Sequence, residues 1–149
     1  MVPDRPRRIQ HQYYIRASPA RVGRAITDPV WLTKWLADSA SLSPRKGGRY
    51  LLGWRGGPTH TGKLASYVRG RRITFEWQWP GIDLKGTRFR LSVRPKGKGT
   101  LLTVEHTGFP RQSRWVDLYA GAEWGWAYFA MNLKSVLETG RDLRTRFDG

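Results

Sequence analysis

Apolar and polar positions alternate in twos over Ile9 to Arg16, with Ile9, His11, Tyr13 and Ile15 on one side and Gln10, Gln12 and Arg16 on the other. A half-buried strand has this period, because successive side chains leave its backbone on opposite faces. The period returns between Ala40 and Phe109 in six short runs, separated by Gly47-Gly48, Gly56-Gly57-Pro58, Arg69-Gly70, Pro80-Gly81 and the loop from Pro95 to Gly99. Ile73, Phe75, Trp77 and Trp79 share one face against Thr74, Glu76 and Gln78. Phe89, Leu91 and Val93 oppose Arg88, Arg90 and Arg94, and Leu102, Val104 and His106 oppose Thr103 and Glu105. The pattern predicts antiparallel strands joined by hairpins, one face on a core and one in water.

Elsewhere the spacing is helical. Ser18-Pro19 offers an N-cap followed by proline at the first helical position, with Val22, Ala25 and Ile26 as the apolar side of a helix ending near Asp28-Pro29. A second short helix is predicted from Val30 to about Leu36. From Trp115 to Thr139 the large apolar residues Trp115, Tyr119, Ala122, Trp126, Phe129, Leu133 and Val136/Leu137 step by threes and fours, which stacks them on one side of a long helix. Ser113 is the expected N-cap, Asp117 suits the positive end of the helix dipole, and Gly140 before Arg141 is the expected stop.

Two features of this helix stand out. Gly121 and Gly125 each cost about 1 kcal/mol relative to alanine, which close backbone packing explains first and room for a ligand second. Trp124, Tyr128 and Met131 fall opposite Trp126, a stripe that fits either a homodimer contact or a covering loop.

The order of strand, two short helices, six strands and long helix predicts an α+β fold: a seven-stranded curved antiparallel sheet around a long C-terminal helix. The expected organisation is a flexible basic arm over 1–8, one domain over 9–144 and a tail over 145–149. A length of 149 residues suits one core. The absence of cysteine removes disulfides and thiolate metal sites. No apolar run approaches the roughly 18 residues of a membrane span, and Met1 to Arg8 carries no leader pattern, so a cytoplasmic location is expected.

The 27 Lys plus Arg against 11 Asp plus Glu give a formal charge of +16. Arg88, Arg90 and Arg94, with Lys63, Arg49, Lys96 and Lys98, would make the convex sheet face positive. Aromatics for base stacking point the other way, which leaves nonspecific attraction of anions.

Beyond pattern, the run Ala17-Ser18-Pro19-Ala20-Arg21-Val22 with Ala25, Thr27-Asp28-Pro29, Leu32 and Trp35 resembles the opening of the proteins homologous to the activator of heat-shock protein 90 ATPase, a branch of the START/Bet v 1-like (SRPBCC) superfamily. Pro44, Gly47-Gly48-Arg49-Tyr50, Trp54, Gly62-Lys63 and Ile73-Thr74-Phe75-Glu76-Trp77 resemble its middle strands. Gly99 to Phe109, then Gly125-Trp126, Leu133 and Leu137, resemble its closing strand and helix. The resemblance implies the helix-grip fold, in which sheet and long helix enclose an apolar cavity, and it places the first strand beside the last, with His11 near His106. It includes a co-chaperone domain, but these 149 residues hold no second domain of the kind the co-chaperone carries.

If such a cavity exists, sheet alternation and helix phase nominate its walls: Tyr50, Trp54, Phe75, Trp77, Trp79, Phe89, Leu91 and His106 from the strands, and Tyr119, Ala122, Trp126 and Phe129 from the helix. Aromatic walls with a few polar tips suit a small hydrophobic or amphipathic molecule, with no cofactor and no metal. The competing expectation is that the rings fill the space. An enzyme of cyclase or hydrolase type would use His106 with Tyr50 or Tyr119 for proton transfer. An adaptor would use the basic convex face, or act in a co-chaperone-like way.

Overall fold

The computed structural model describes residues 6–144. The arm expected over 1–8 gives up Arg7 and Arg8 to the first strand, while residues 1–5 and the tail 145–149 lie outside the described residues. The strands are β1 (Arg7–Ile15), β2 (Ser39–Leu42), β3 (Arg49–Gly53), β4 (Thr59–Val68), β5 (Arg72–Trp77), β6 (Thr87–Lys96) and β7 (Gly99–Phe109). They form one seven-stranded sheet in the order β1-β7-β6-β5-β4-β3-β2, antiparallel at every pairing. The helices are α1 (Pro19–Thr27), α2 (Pro29–Trp35) and α3 (Val116–Thr139). This is the helix-grip arrangement, a curved sheet holding a long C-terminal helix.

Local chemistry sets the element boundaries. Ser18 Oγ accepts from the Arg21 amide at 3.2 Å, and Pro19 opens α1. Asp28 serves both short helices: its own N–H closes α1 on the Arg24 carbonyl at 2.9 Å, and its carboxylate accepts from Val30 N at 2.8 Å to start α2. Ser113 does not cap α3. It opens a 3-10 turn, Ser113–Trp115, and no side chain caps α3 itself. Gly140 ends the helix as expected, at φ 76, with its N–H on the Val136 carbonyl.

α1 lies against the β4–β5 turn with no room to spare. A Cβ at Gly23 would come within 1.9 Å of the Gly70 carbonyl oxygen. The close approach lets Thr27 Oγ1 accept from Gly70 N at 3.0 Å while donating to the Gly23 carbonyl at 2.8 Å.

α3 meets the core unevenly. Its buried apolar residues Trp126, Ala130, Leu133 and Leu137 lie in the middle and C-terminal half. Asn132, fully buried, ties this half to α2 and to the chain that follows α3. Its amide donates to the Trp35 carbonyl at 2.9 Å and to Asp142 at 3.0 Å, and its Oδ1 accepts from Leu143 N at 2.6 Å. Arg144 completes the clasp, pairing with Asp142 at 2.8 Å and donating to the Ala37 and Thr33 carbonyls. The N-terminal half of α3 touches the sheet at the β1–β7 edge, through Tyr119 on Phe109 and the Arg8 carbonyl and through Glu123 beside His11.

Candidate functional site

A hollow of about 390 Å³ lies where the N-terminal half of α3 faces the ends of β3, β4 and β5. The sheet side supplies Trp54 just after β3, Pro58 before β4, His60 on β4, Trp77 at the end of β5 and Trp79 beyond it. The helix side supplies two neighbouring rows at four-residue spacing: Asp117, Gly121, Gly125 and Phe129, beside Leu118, Ala122 and Trp126.

The glycines account for the gap. A Cβ on Gly121 or Gly125 would meet nothing within 4 Å. Close packing, the first expectation for these two residues, is therefore corrected: they leave space and let nothing approach.

The rings around the hollow are pinned by their own hydrogen bonds. Trp54 Nε1 donates to the Leu36 carbonyl at 2.9 Å, Trp79 Nε1 to Thr87 Oγ1 at 2.9 Å, and Trp126 Nε1 to His106 Nδ1 at 2.9 Å. Fixed indoles give a site whose shape is set before anything enters it.

Six of the residues nominated as walls line the hollow: Trp54, Trp77, Trp79, Ala122, Trp126 and Phe129. Five do not. Trp126 lies flat on Phe89, centroids 3.6 Å apart and planes at 8°, and this stack plugs the interior behind it. Phe75, Phe89, Leu91 and His106 sit in the solid core on the far side of the plug, and Tyr50 is buried beneath Phe75 and Trp77. Tyr119 also departs from expectation: it packs edge-on against Phe109 at 5.5 Å under the Arg7 guanidinium, outside the hollow. The competing expectation, a gap filled by rings, thus holds for the inner half of the interface and fails for the outer half.

His60, Pro58, Asp117 and Leu118 are wall residues that the nominations missed. His60 shares its alternation with an inward strand face, and Asp117 and Leu118 stand one turn before the two glycines. Those were the available signals.

The proton-transfer candidates do not converge. Tyr50 donates its hydroxyl to the Glu76 carbonyl at 2.8 Å, and burial pushes its phenol well above the ordinary value. Tyr119 donates to the Arg8 carbonyl at 3.2 Å, and burial raises its phenol too. His106 is fully buried, and burial, reinforced by nearby His60, pushes its imidazole down to about 3. Its Nδ1 accepts from Trp126, so the proton sits on Nε2, which has no partner.

His11 is not the partner of His106. β1 does lie beside β7, but the register sets Ile9 opposite His106 and His11 opposite Val104. His11 instead meets Glu123 at 3.8 Å and the Tyr13 hydroxyl at 3.2 Å. Among the described residues no group of three His, Asp or Glu is placed to hold a metal ion.

Two surface expectations are also modified. On the convex face Arg88 stands across from Glu76 and Arg90 from Glu105, so acidic partners are interleaved with the cations. In the α3 stripe, Trp124 is 73% exposed and stacks on Tyr128 at 5.8 Å, Met131 is exposed, and the Tyr128 hydroxyl donates to the Leu143 carbonyl. The segment after α3 therefore reaches Tyr128 and leaves Trp124 in solvent.

Comparison with known proteins bears on the same architecture. A profile of the family described as Activator of Hsp90 ATPase homolog 1-like protein matches residues 16–138. The chain belongs to this family. Solved structures agree with that membership. An AHSA1-like protein from Rhizobium etli is 27% identical, with a TM-score of 0.72 over 97% of this chain and 89% of its own. The Aha1 dimer protein of Colwellia psychrerythraea, 22% identical, superposes with a TM-score of 0.78 over 91% of this chain and 98% of its own. DynU16, from the dynemicin biosynthetic locus, reaches a TM-score of 0.80 at 22% identity, covering 93% of this chain but 49% of its own. No curated protein matches. Among the described residues of this Activator of Hsp90 ATPase homolog 1-like chain, no helix is long and apolar enough to cross a membrane.

Proposed function

We propose that the chain binds a small, flat, apolar or amphipathic molecule in the hollow between α3 and the ends of β3, β4 and β5. The observation that carries this reading is the pair Gly121 and Gly125: two helix-interior glycines, each a helix-weakening choice, open onto a space that no neighbouring side chain enters. A volume of about 390 Å³ falls within the usual range for small-molecule sites. Indoles from Trp54, Trp77, Trp79 and Trp126 offer ring faces for stacking, worth about 1 kcal/mol each beyond the area they bury. One fold relative, DynU16, comes from the dynemicin biosynthetic locus, a setting that accords with a small-molecule role.

The test fills the space from the helix side. Fluorescence titration with N-phenyl-1-naphthylamine should show saturable binding to the unaltered protein. Gly125→Leu should weaken it at least about ten-fold, because the new side chain occupies the site. The same variant should unfold at a higher denaturant concentration, since it exchanges a helix glycine for a strong helix former with about 1 kcal/mol of propensity gained. Equal dye affinity in the two proteins would remove the pocket from the account.

A further inference from the structure

His60 is the polar ring on the wall of this pocket, and its surroundings decide what it can offer. Its Nδ1 lies 2.6 Å from the Gln78 carbonyl oxygen, a group that only accepts, so Nδ1 carries the ring proton. Burial lowers the basicity of the imidazole and keeps it neutral. Nε2 therefore presents a bare lone pair. It has no hydrogen-bond partner among the described residues, and it is not sealed away as His106 Nε2 is.

The ring is held in place by Trp77, stacked on it at 4.3 Å and 27°, and by the edge contact of Trp54 at 5.6 Å. The charged side chain on the lining, Asp117, is also an acceptor and is exposed. On the donor side, the indole N–H groups of Trp54, Trp79 and Trp126 are all engaged within the protein.

We propose that the pocket selects aromatic molecules bearing a hydroxyl donor, the phenol class, with the hydroxyl proton given to His60 Nε2 and the ring stacked among the tryptophans. This rests on the pocket reading above and narrows it to one ligand chemistry. The physical ground is the cost of moving a hydroxyl from water into an apolar cleft, about 1–3 kcal/mol when no partner awaits it. An acceptor already fixed in the wall offsets that cost for a phenol. It offers nothing to an ether of the same shape, and it is left unpaired by a plain hydrocarbon.

Three probes separate these cases: naphthalene, 2-methoxynaphthalene and 2-naphthol, titrated by calorimetry at neutral pH into the unaltered protein and into His60→Phe, which keeps a stacked ring and lacks the lone pair. The indole N–H of Trp77, unpartnered among the described residues, can serve the ether oxygen as well as the hydroxyl, so it does not distinguish those two probes. The unaltered protein should bind 2-naphthol about ten-fold more tightly than 2-methoxynaphthalene. In His60→Phe the two should fall within about two-fold of one another.

A readout independent of the variant is the ¹⁵N resonance of His60 Nε2, which should shift on adding 2-naphthol and hold on adding naphthalene. Equal affinity for the hydroxyl and methoxy probes, or a gap that persists in His60→Phe, would overturn the phenol assignment and leave the pocket intact. Failure of all three probes to bind would overturn the pocket reading itself.

Discussion

Replacing Trp126 by alanine is expected to lower the unfolding free energy by about 4–5 kcal/mol, read from urea denaturation monitored by circular dichroism. The ring is 7% exposed and forms the plug between α3 and β6, face to face with Phe89 at 3.6 Å. Truncating a buried tryptophan usually costs about 3–5 kcal/mol through lost contacts and the cavity left behind. Here the substitution also removes the indole N–H that His106 Nδ1 accepts, leaving a buried imidazole with neither nitrogen paired. Trp126→Phe separates the two contributions: it keeps a ring against Phe89 and gives up the hydrogen bond, so it should lose about 1–3 kcal/mol. A loss below about 2 kcal/mol for the alanine variant would mean that Trp126 is not the plug.

The second large effect is an acid destabilisation that begins above the carboxylate range. In the folded protein His106 is held down to about 3, while an unfolded chain would return it to 6.5. A depressed imidazole favours the folded state fully above pH 6.5, because neither state is then protonated. As pH falls below 6.5 the unfolded chain takes up a proton that the folded chain refuses, and stability drops until about pH 3, where both states are charged. The loss over that interval is on the order of 4 kcal/mol. His60, also lowered by burial, acts in the same direction.

Glu138 and Asp142 are held below their ordinary values, so each stabilises the fold above the carboxylate range and loses that contribution only as pH falls through it. The window from pH 6.5 to about 5 therefore isolates the histidines. Urea midpoints measured across that window should fall steadily for the unaltered protein. His106→Leu, less stable at pH 7, should show a shallower fall. A flat profile for the unaltered protein would contradict the buried neutral imidazole.

How much of this could be read from the chain depended on how local each determinant is. Alternation along Ile73–Trp77 and Phe89–Val93 placed the inward faces correctly because the strand period is a property of the backbone alone. Ser18 capped α1 as expected because an N-cap needs only three residues of context. Gly23 and Gly125 show where locality ends. Both are glycines inside helices, yet the first sits against the Gly70 carbonyl and the second faces open space. The difference lies in what the rest of the fold brings opposite.

The same limit governed the wall residues. The inward pattern put Phe89 and Trp79 in one class, but the Phe89–Trp126 stack divides that class into a plugged half and an open half. His106 and His60 looked alike in the strands that carry them. The contact of Trp126 with the first and the Gln78 carbonyl beside the second give them opposite tautomers, one with a proton on Nε2 that no neighbour accepts and one with its proton on Nδ1, on a ring that lines the pocket. Asn132 and the return of Asp142 to Arg144 across α2 were not visible beforehand, because a polar residue on a helix shows its use only when its partners are in place.

The eight tryptophans provide the most direct test of the open hollow. Each indole N–H gives its own signal in a ¹H–¹⁵N correlation spectrum, and naphthalene can be added to its solubility limit while they are followed. The account predicts that the signals of Trp54, Trp77, Trp79 and Trp126 move together along one saturable curve while those of Trp31, Trp35, Trp115 and Trp124 hold still. Movement confined to Trp124, or no movement in the first four, would contradict it.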